Sequence, residues 1–159
     1  MAYGDREGVR RVRAALVERG LAPDLVELSQ TARSATDAAA ALGCRVEQIV
    51  KALIFRGAET GGSVLVLASG PNRVDEGRLA QWLSEPARKA DAAFVREKTG
   101  FAIGGVPPVG HLESPVVFLD EDLMAHDKVW AAAGHTHVVF GVAPEDLLRA
   151  TGARVVGVK

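Results

Sequence analysis

Ile49-Val50-Lys51-Ala52-Leu53-Ile54-Phe55 is an apolar run broken by one lysine. Its length and its β-branched and aromatic content predict a short buried strand, closed by Arg56-Gly57. Side chains alternate across a strand, so Ile49, Lys51, Leu53 and Phe55 share one face. An ammonium group therefore sits among large hydrophobes. Such a lysine must reach water along its own stem, find a counter-charge or lose its proton, because an unpaired buried charge is costly. A strand-end lysine with its head in solvent and a functional lysine both fit the pattern.

Outward from this run, Gly57 to Gly62 is turn chemistry and Val64 to Ala68 is a second apolar run, so the two are expected to pair as a hairpin. Gly70-Pro71-Asn72 is a further turn. Upstream, Ser34 is placed to cap a helix with Asp37 behind it, running to Leu42 and stopping at Gly43. Leu25 to Leu28, after Pro23, reads as a short strand. Asp5 to Arg19 reads as an amphipathic helix with Val9, Val12 and Leu16 inward and Gly20 at its end. Its other side carries Arg6, Arg10, Arg11 and Arg13, and the reading favours a solvated face balanced by Asp5, Glu7 and Glu18 over an RNA contact. Downstream, helices are expected at Asp75 to Leu83, from Asp91 to near Gly100, and from Pro144 to Gly152. Strands are expected at 116–119, 129–133, 136–140 and 155–158, the second and third around Gly134 and the fourth closing the chain, with a helical turn at Asp120 to Ala125. The irregular alternation lacks the rhythm of a doubly wound sheet. It predicts an α+β fold with a mixed, barrel-like sheet flanked by short helices.

The 159 residues suffice for one domain spanning 1–159, with residues 1–20 packed on it as the N-terminal helix. The formal net charge of -1 excludes a strong overall field for nucleic acid, so any RNA contact must use a local patch. No apolar run approaches the roughly 20 residues that span a bilayer, and the N-terminus lacks a secretory pattern, so no membrane partner is expected. The single cysteine, Cys44, forms no intramolecular disulfide, which fits a reducing, cytoplasmic setting, and it reads as packing.

The run Phe101-Ala102-Ile103-Gly104-Gly105-Val106-Pro107-Pro108-Val109-Gly110-His111 excludes helix interior and central strand. Glycine lets backbone approach a ligand, proline holds the path rigid, and exposed N–H groups in such a loop suit an oxyanion or phosphate. An ordinary connecting loop has the same composition. The run is neither a dinucleotide fingerprint nor a P-loop. His135 and His137 would share one side of a strand. No third metal ligand sits at a familiar spacing, with Asp120, Asp122, His126 and Asp127 unpatterned, so hydrogen bonding is their expected use and no metal or other cofactor is expected. Ser69, Ser84 and Ser114 lack a nucleophile-elbow context.

The lysine strand, the run Thr99 to His111, and Val129-Trp130-Ala131-Ala132-Ala133-Gly134 together resemble the YbaK/ProX family, free-standing relatives of the editing insertion domain of bacterial prolyl-tRNA synthetase. The tail from Pro144 to Gly152 is similar to that family's last helix. The resemblance covers the chain from about Ser34 to Val158. It implies a metal-independent deacylase that hydrolyses the ester between a wrong, small amino acid and the tRNA 3′ end, with an aminoacyl-tRNA synthetase as a further partner. It implies Lys51 as the key catalytic residue. It also implies a substrate pocket lined by Gly104, Gly105, Val106, Pro107, Pro108, Gly110 and His111, together with Ala132, Gly134, His135 and His137. Two departures stand out: Ala52 where family members often carry a polar residue, and Ala131-Ala132-Ala133 where some carry a serine. Both make the pocket less polar. The same fold can also serve as a non-catalytic module that binds tRNA ends, nucleotides or a synthetase.

Overall fold

The computed structural model describes residues 3–4, 6–22, 24–29 and 32–159. In chain order the elements are α1 (Glu7–Glu18), β1 (Leu25–Glu27), α2 (Ala35–Leu42), β2 (Val50–Gly57), β3 (Ser63–Ser69), α3 (Glu76–Leu83), β4 (Ala87–Lys89), α4 (Ala92–Thr99), β5 (Val116–Asp120), β6 (Val129–His135), β7 (Val138–Val142), α5 (Pro144–Thr151) and β8 (Arg154–Val156). Single 3-10 turns occupy Val46–Gln48 and Glu121–Ala125. Asp5 and Pro23, used above to bound the first helix and strand, lie outside the described residues.

The strands form two sheets, ordered β4-β2-β3-β5-β8 and β1-β7-β6. The larger is mixed: β2 runs antiparallel to β3 and β4, whereas β3–β5 and β5–β8 are parallel. The expected hairpin is present, with Lys51 opposite Ala68 and Phe55 opposite Val64. Among the described residues the sheets meet at one isolated bridge, Ile49 to Trp130, so the barrel-like enclosure is partial. This α+β architecture follows from two-sided burial of the larger sheet. Val50, Ile54, Leu65, Leu67 and Leu119 face a core completed by Val9, Val12 and Leu16 of α1 and by Ala131 and Phe140 of the smaller sheet. Phe55, Val64, Val66, Ala68 and Phe118 face a second core that Leu79 of α3 covers. Each large side chain so buried contributes about 1.5–3 kcal/mol. Leu53 packs on the second core, so Lys51 stands at the end of an otherwise apolar face, as the alternation requires.

Helix caps follow the sequence. The Ser34 side chain accepts from the Asp37 N–H, Asp75 from that of Arg78, and Asp91 from that of Phe94. Gly43, Gly100 and Gly152 end their helices in the left-handed conformation. Three local expectations change. Thr136 and His137 form the turn rather than starting a strand, and β7 begins at Val138. Gly134, at φ +90°, instead sits inside β6 where the β6–β7 register shifts, because glycine takes that conformation without strain. The last strand is Arg154–Val156, and the short β4 pairs with the end of β2, two elements whose lengths are set by pairing partners rather than by local pattern.

Candidate active site

β2 and β6 meet at the Ile49–Trp130 bridge, and a cavity of about 880 Å³ is lined by residues of both strands. That is the size range of small-molecule sites. Lys51, Ala52 and Leu53 of β2 form one wall, where the strand has β3 on one side and no ladder partner on the other among the described residues. Trp130, Ala132 and Val139 form the opposite wall, and the alanines Ala35 and Ala38 of α2 close a third side. Ile103, Gly104, Val106, His135, Thr136 and His137 form the rim.

Lys51 is held. Its Nζ donates to the Asn72 carbonyl at 2.6 Å. Asn72 is itself buried, and its Nδ2 donates to Asp120 Oδ2 at 2.8 Å and to Asp122 Oδ2 at 2.7 Å. Asp120 is 1% exposed and also accepts from the backbone N–H groups of Ser69 and Asp122. A satisfied buried carboxylate thus fixes the Gly70–Asn72 turn, and the turn presents a carbonyl to the lysine. Burial lowers the Lys51 pKa, the positive charges of Lys89 and Arg73 act in the same direction, and Asp120 opposes them. An ammonium has three donors. One goes to Asn72, and the group borders the cavity with the others.

The expected site residues divide in two. Lys51, Gly104, Val106, Ala132, His135 and His137 line the cavity. Gly105, Pro107, Pro108, Gly110, His111 and Gly134 stand behind its wall. Ala102 to Gly105 is a turn in which the Gly105 N–H donates to the Ala102 carbonyl at 3.0 Å, with Gly104 at φ +90°. The Gly105 N–H is therefore spent and does not face a substrate. Gly105 has another use: a Cβ there would lie 3.1 Å from the His135 carbonyl carbon, so glycine lets the loop rest on the end of β6. Pro107 and Pro108 are buried, and the Pro107 carbonyl accepts from His111 Nε2 at 2.6 Å. These residues shape the loop from inside.

His135 and His137 do not share a strand, since His137 lies in the turn after β6, yet both rings meet Tyr3. Tyr3 stacks on His135 with ring centroids 4.1 Å apart, and on His137 at 5.9 Å. The His137 N–H donates to His135 Nδ1 at 3.1 Å, which leaves the His135 Nε2 to carry the ring proton. Burial, His137 and Arg6 all lower the His135 pKa, so the ring is a neutral donor at the cavity rim. Among the described residues no group of three or more His, Cys, Asp or Glu is disposed to hold a metal ion.

Sequence reasoning missed the Asn72–Asp120 support, because the two are joined only by long-range folding. It also missed Tyr3 and the role of Arg11, which left the solvated face assigned to it: Arg11 Nη2 donates to the Gly110 carbonyl at 2.8 Å, and the guanidinium lies 4.6 Å from the Phe101 ring. The alternation of hydrophobic positions in the first helix carried no signal for either.

Residues 29–150 match the family of aminoacyl-tRNA editing domains. The fold superposes with TM-score 0.91 on a crystal structure of a candidate trans-editing enzyme for prolyl tRNA synthetase, 47% identical, covering 96% of this chain and 97% of that one. A structure from work on computational epitope grafting onto scaffold proteins is 43% identical, with TM-score 0.92, covering 97% of this chain and 98% of that one. The uncharacterized protein YwhH of Bacillus subtilis (strain 168) is 32% identical over 124 residues, 78% of each chain. The lysine strand and the loop over its cavity thus sit in a chain that belongs to the aminoacyl-tRNA editing domain family, the YbaK/ProX family.

Proposed function

We propose that this chain is a trans-acting deacylase that hydrolyses the ester joining a small, apolar amino acid to a tRNA 3′ end. The observation that carries the reading is Lys51, a cation anchored by a buried polar network at the wall of a largely apolar cavity. An aminoacyl ester is already activated, so positioning and charge stabilisation suffice. Water bonds to the ester carbonyl carbon, and the Lys51 ammonium steadies the oxygen as negative charge develops. The carbon–oxygen bond to the ribose then breaks, the ribose oxygen takes the proton released by the water, and the free amino acid leaves. His135, neutral and donating from Nε2, orients the ester or ribose rather than abstracting a proton. These steps use no metal, and turnover is expected to be unchanged after dialysis against a chelator.

Ala52, Leu53, Ala132 and Val139 support an apolar side chain in the pocket, and each methylene of substrate size is worth about 1–3 kcal/mol of discrimination. The test is deacylation of a panel: Ala-, Cys- and Ser-tRNA-Pro, with Ala- and Ser-charged noncognate tRNAs, by wild type, Lys51→Ala and Lys51→Met. Turnover of alanyl or cysteinyl substrates, reduced about 100-fold or more in both variants, is the expected result on the scale of lost oxyanion stabilisation. Full activity in Lys51→Met would remove the lysine from the chemistry. No turnover of any substrate with enzyme in excess would leave a binding module of the same fold.

A further inference from the structure

A second cleft, of about 510 Å³, adjoins the first and shares Arg6, His135 and Thr136 with it. We propose that this second cleft is a phosphodiester site, which takes the sugar-phosphate backbone of the RNA 3′ end whose terminal ester enters the first cavity; the proposal rests on the deacylase reading of that cavity.

Charge is the first argument. Arg6, Arg11 and Arg96 all line the cleft, and Glu7 is the one carboxylate among its lining residues. None of the three guanidiniums has an ion-pair partner among the described residues. In a chain of net charge -1, three unpaired arginines converging on one hollow form a local anion site that the overall field does not supply. Planar guanidinium forks match phosphate oxygens better than ammonium groups do.

Shape is the second. Gly8, Gly100, Gly105 and Gly134 contribute to the lining, so much of the surface is backbone. A Cβ on Gly100 would lie 2.7 Å from Arg11 Nη1, so glycine there leaves room for the guanidinium that Gly110 and Phe101 hold in place. An anion can therefore approach a fixed cation and bare backbone, with Arg6 and Arg96 exposed at the edges to close on it.

Continuity is the third. His135 and Thr136 form a ridge that faces both hollows, and Arg6 spans them. A ligand with its reactive end in the apolar cavity and an anionic chain leading away must pass this ridge. An esterified RNA 3′ end has that layout, with a phosphodiester immediately before the terminal nucleoside.

The test uses Arg96→Ala, at a position that lines only the second cleft, with two substrates that differ by one cytidine and the phosphodiester that joins it: 3′-aminoacyl-adenosine and aminoacyl-CpA. The variant is expected to raise KM for aminoacyl-CpA about 3- to 10-fold with kcat unchanged, and to leave aminoacyl-adenosine unaffected. The slope of log kcat/KM against log salt for aminoacyl-tRNA should become shallower by about 0.7, one phosphate contact on a single strand. Equal effects on both small substrates, or no effect on either, overturn the proposal. If wild type hydrolyses neither small substrate, the aminoacyl-tRNA panel decides the deacylase reading and calorimetric titration decides the site separately. CpA binding tighter than adenosine, and weakened by Arg96→Ala, upholds it, whereas equal binding of CpA and adenosine overturns it.

Discussion

Lys51 is held at the cavity wall by donating to the Asn72 carbonyl, and the geometry of that carbonyl depends on the Asn72 side chain. Removing the amide leaves Asp120, 1% exposed, short of a donor it cannot replace from solvent. Asn72→Ala is therefore expected to cost about 1–3 kcal/mol in urea unfolding and to lower kcat/KM for deacylation about 10-fold. A variant as stable as wild type would show that the buried network does not hold the turn. Asn72→Asp should be worse than Asn72→Ala, since it sets a third carboxylate against Asp120 and Asp122. The lysine was legible in the sequence because alternation alone places it on an apolar face. Its support was not: Asn72 reads as a turn residue, and its partner Asp120 lies 48 positions away. Local pattern says which way a side chain points, and says nothing of what meets it there.

At the scale of elements, α1 and the loop from Phe101 to His111 act as one brace behind the site. Gly8 of α1 and Gly134 of β6 touch through backbone, and a Cβ on Gly134 would lie 2.6 Å from the Gly8 carbonyl oxygen. Gly134→Ala meets that contact and a φ of +90° together, so a loss of about 2 kcal/mol or more is expected by thermal or urea unfolding. Unchanged stability would mean that α1 is free to move. His111 adds a pH dependence. Its Nε2 donates to Pro107, its buried Nδ1 has no partner among the described residues, and burial, with a smaller push from Arg11, lowers its pKa. A histidine whose folded pKa lies below the unfolded value of about 6.5 contributes stability that is full above that value and falls as pH drops through it. His135 is shifted in the same direction and shares the window. Melting temperature should thus decline as pH falls below about 6.5, and His111→Gln should flatten part of that decline; an identical decline in the variant would assign it elsewhere. The loop's composition made its rigidity legible. Which of its residues face the cavity was not, because that depends on the turn at Ala102–Gly105 and on Arg11, whose contacts cross from α1 to Thr99 and Gly110.

For the whole molecule, the two sheets share a core on one face of the larger sheet, and α3 covers its other face, the one that Lys51 and Leu53 share with Phe55. The α+β class was legible from irregular alternation, and most strands from their apolar runs. The parallel pairing of β3 with β5 and of β5 with β8 was not, since β strands carry no local record of their neighbours. Hydrogen exchange tests the arrangement without relying on turnover. Strand β3 is buried throughout and lies between β2 and β5, so its amides should exchange only through global unfolding. A non-hydrolysable aminoacyl-adenosine should slow exchange at residues 51–53, 102–106 and 135–137, the segments around the cavity. It should leave 76–83 and 154–156 unchanged, because no residue of α3 or β8 lines the cavity. Protection confined to α3 and β8 would place the ligand outside the cavity and take the substrate-binding role from its lining. Protection at the cavity segments with no turnover would separate binding from catalysis and leave the non-catalytic reading standing.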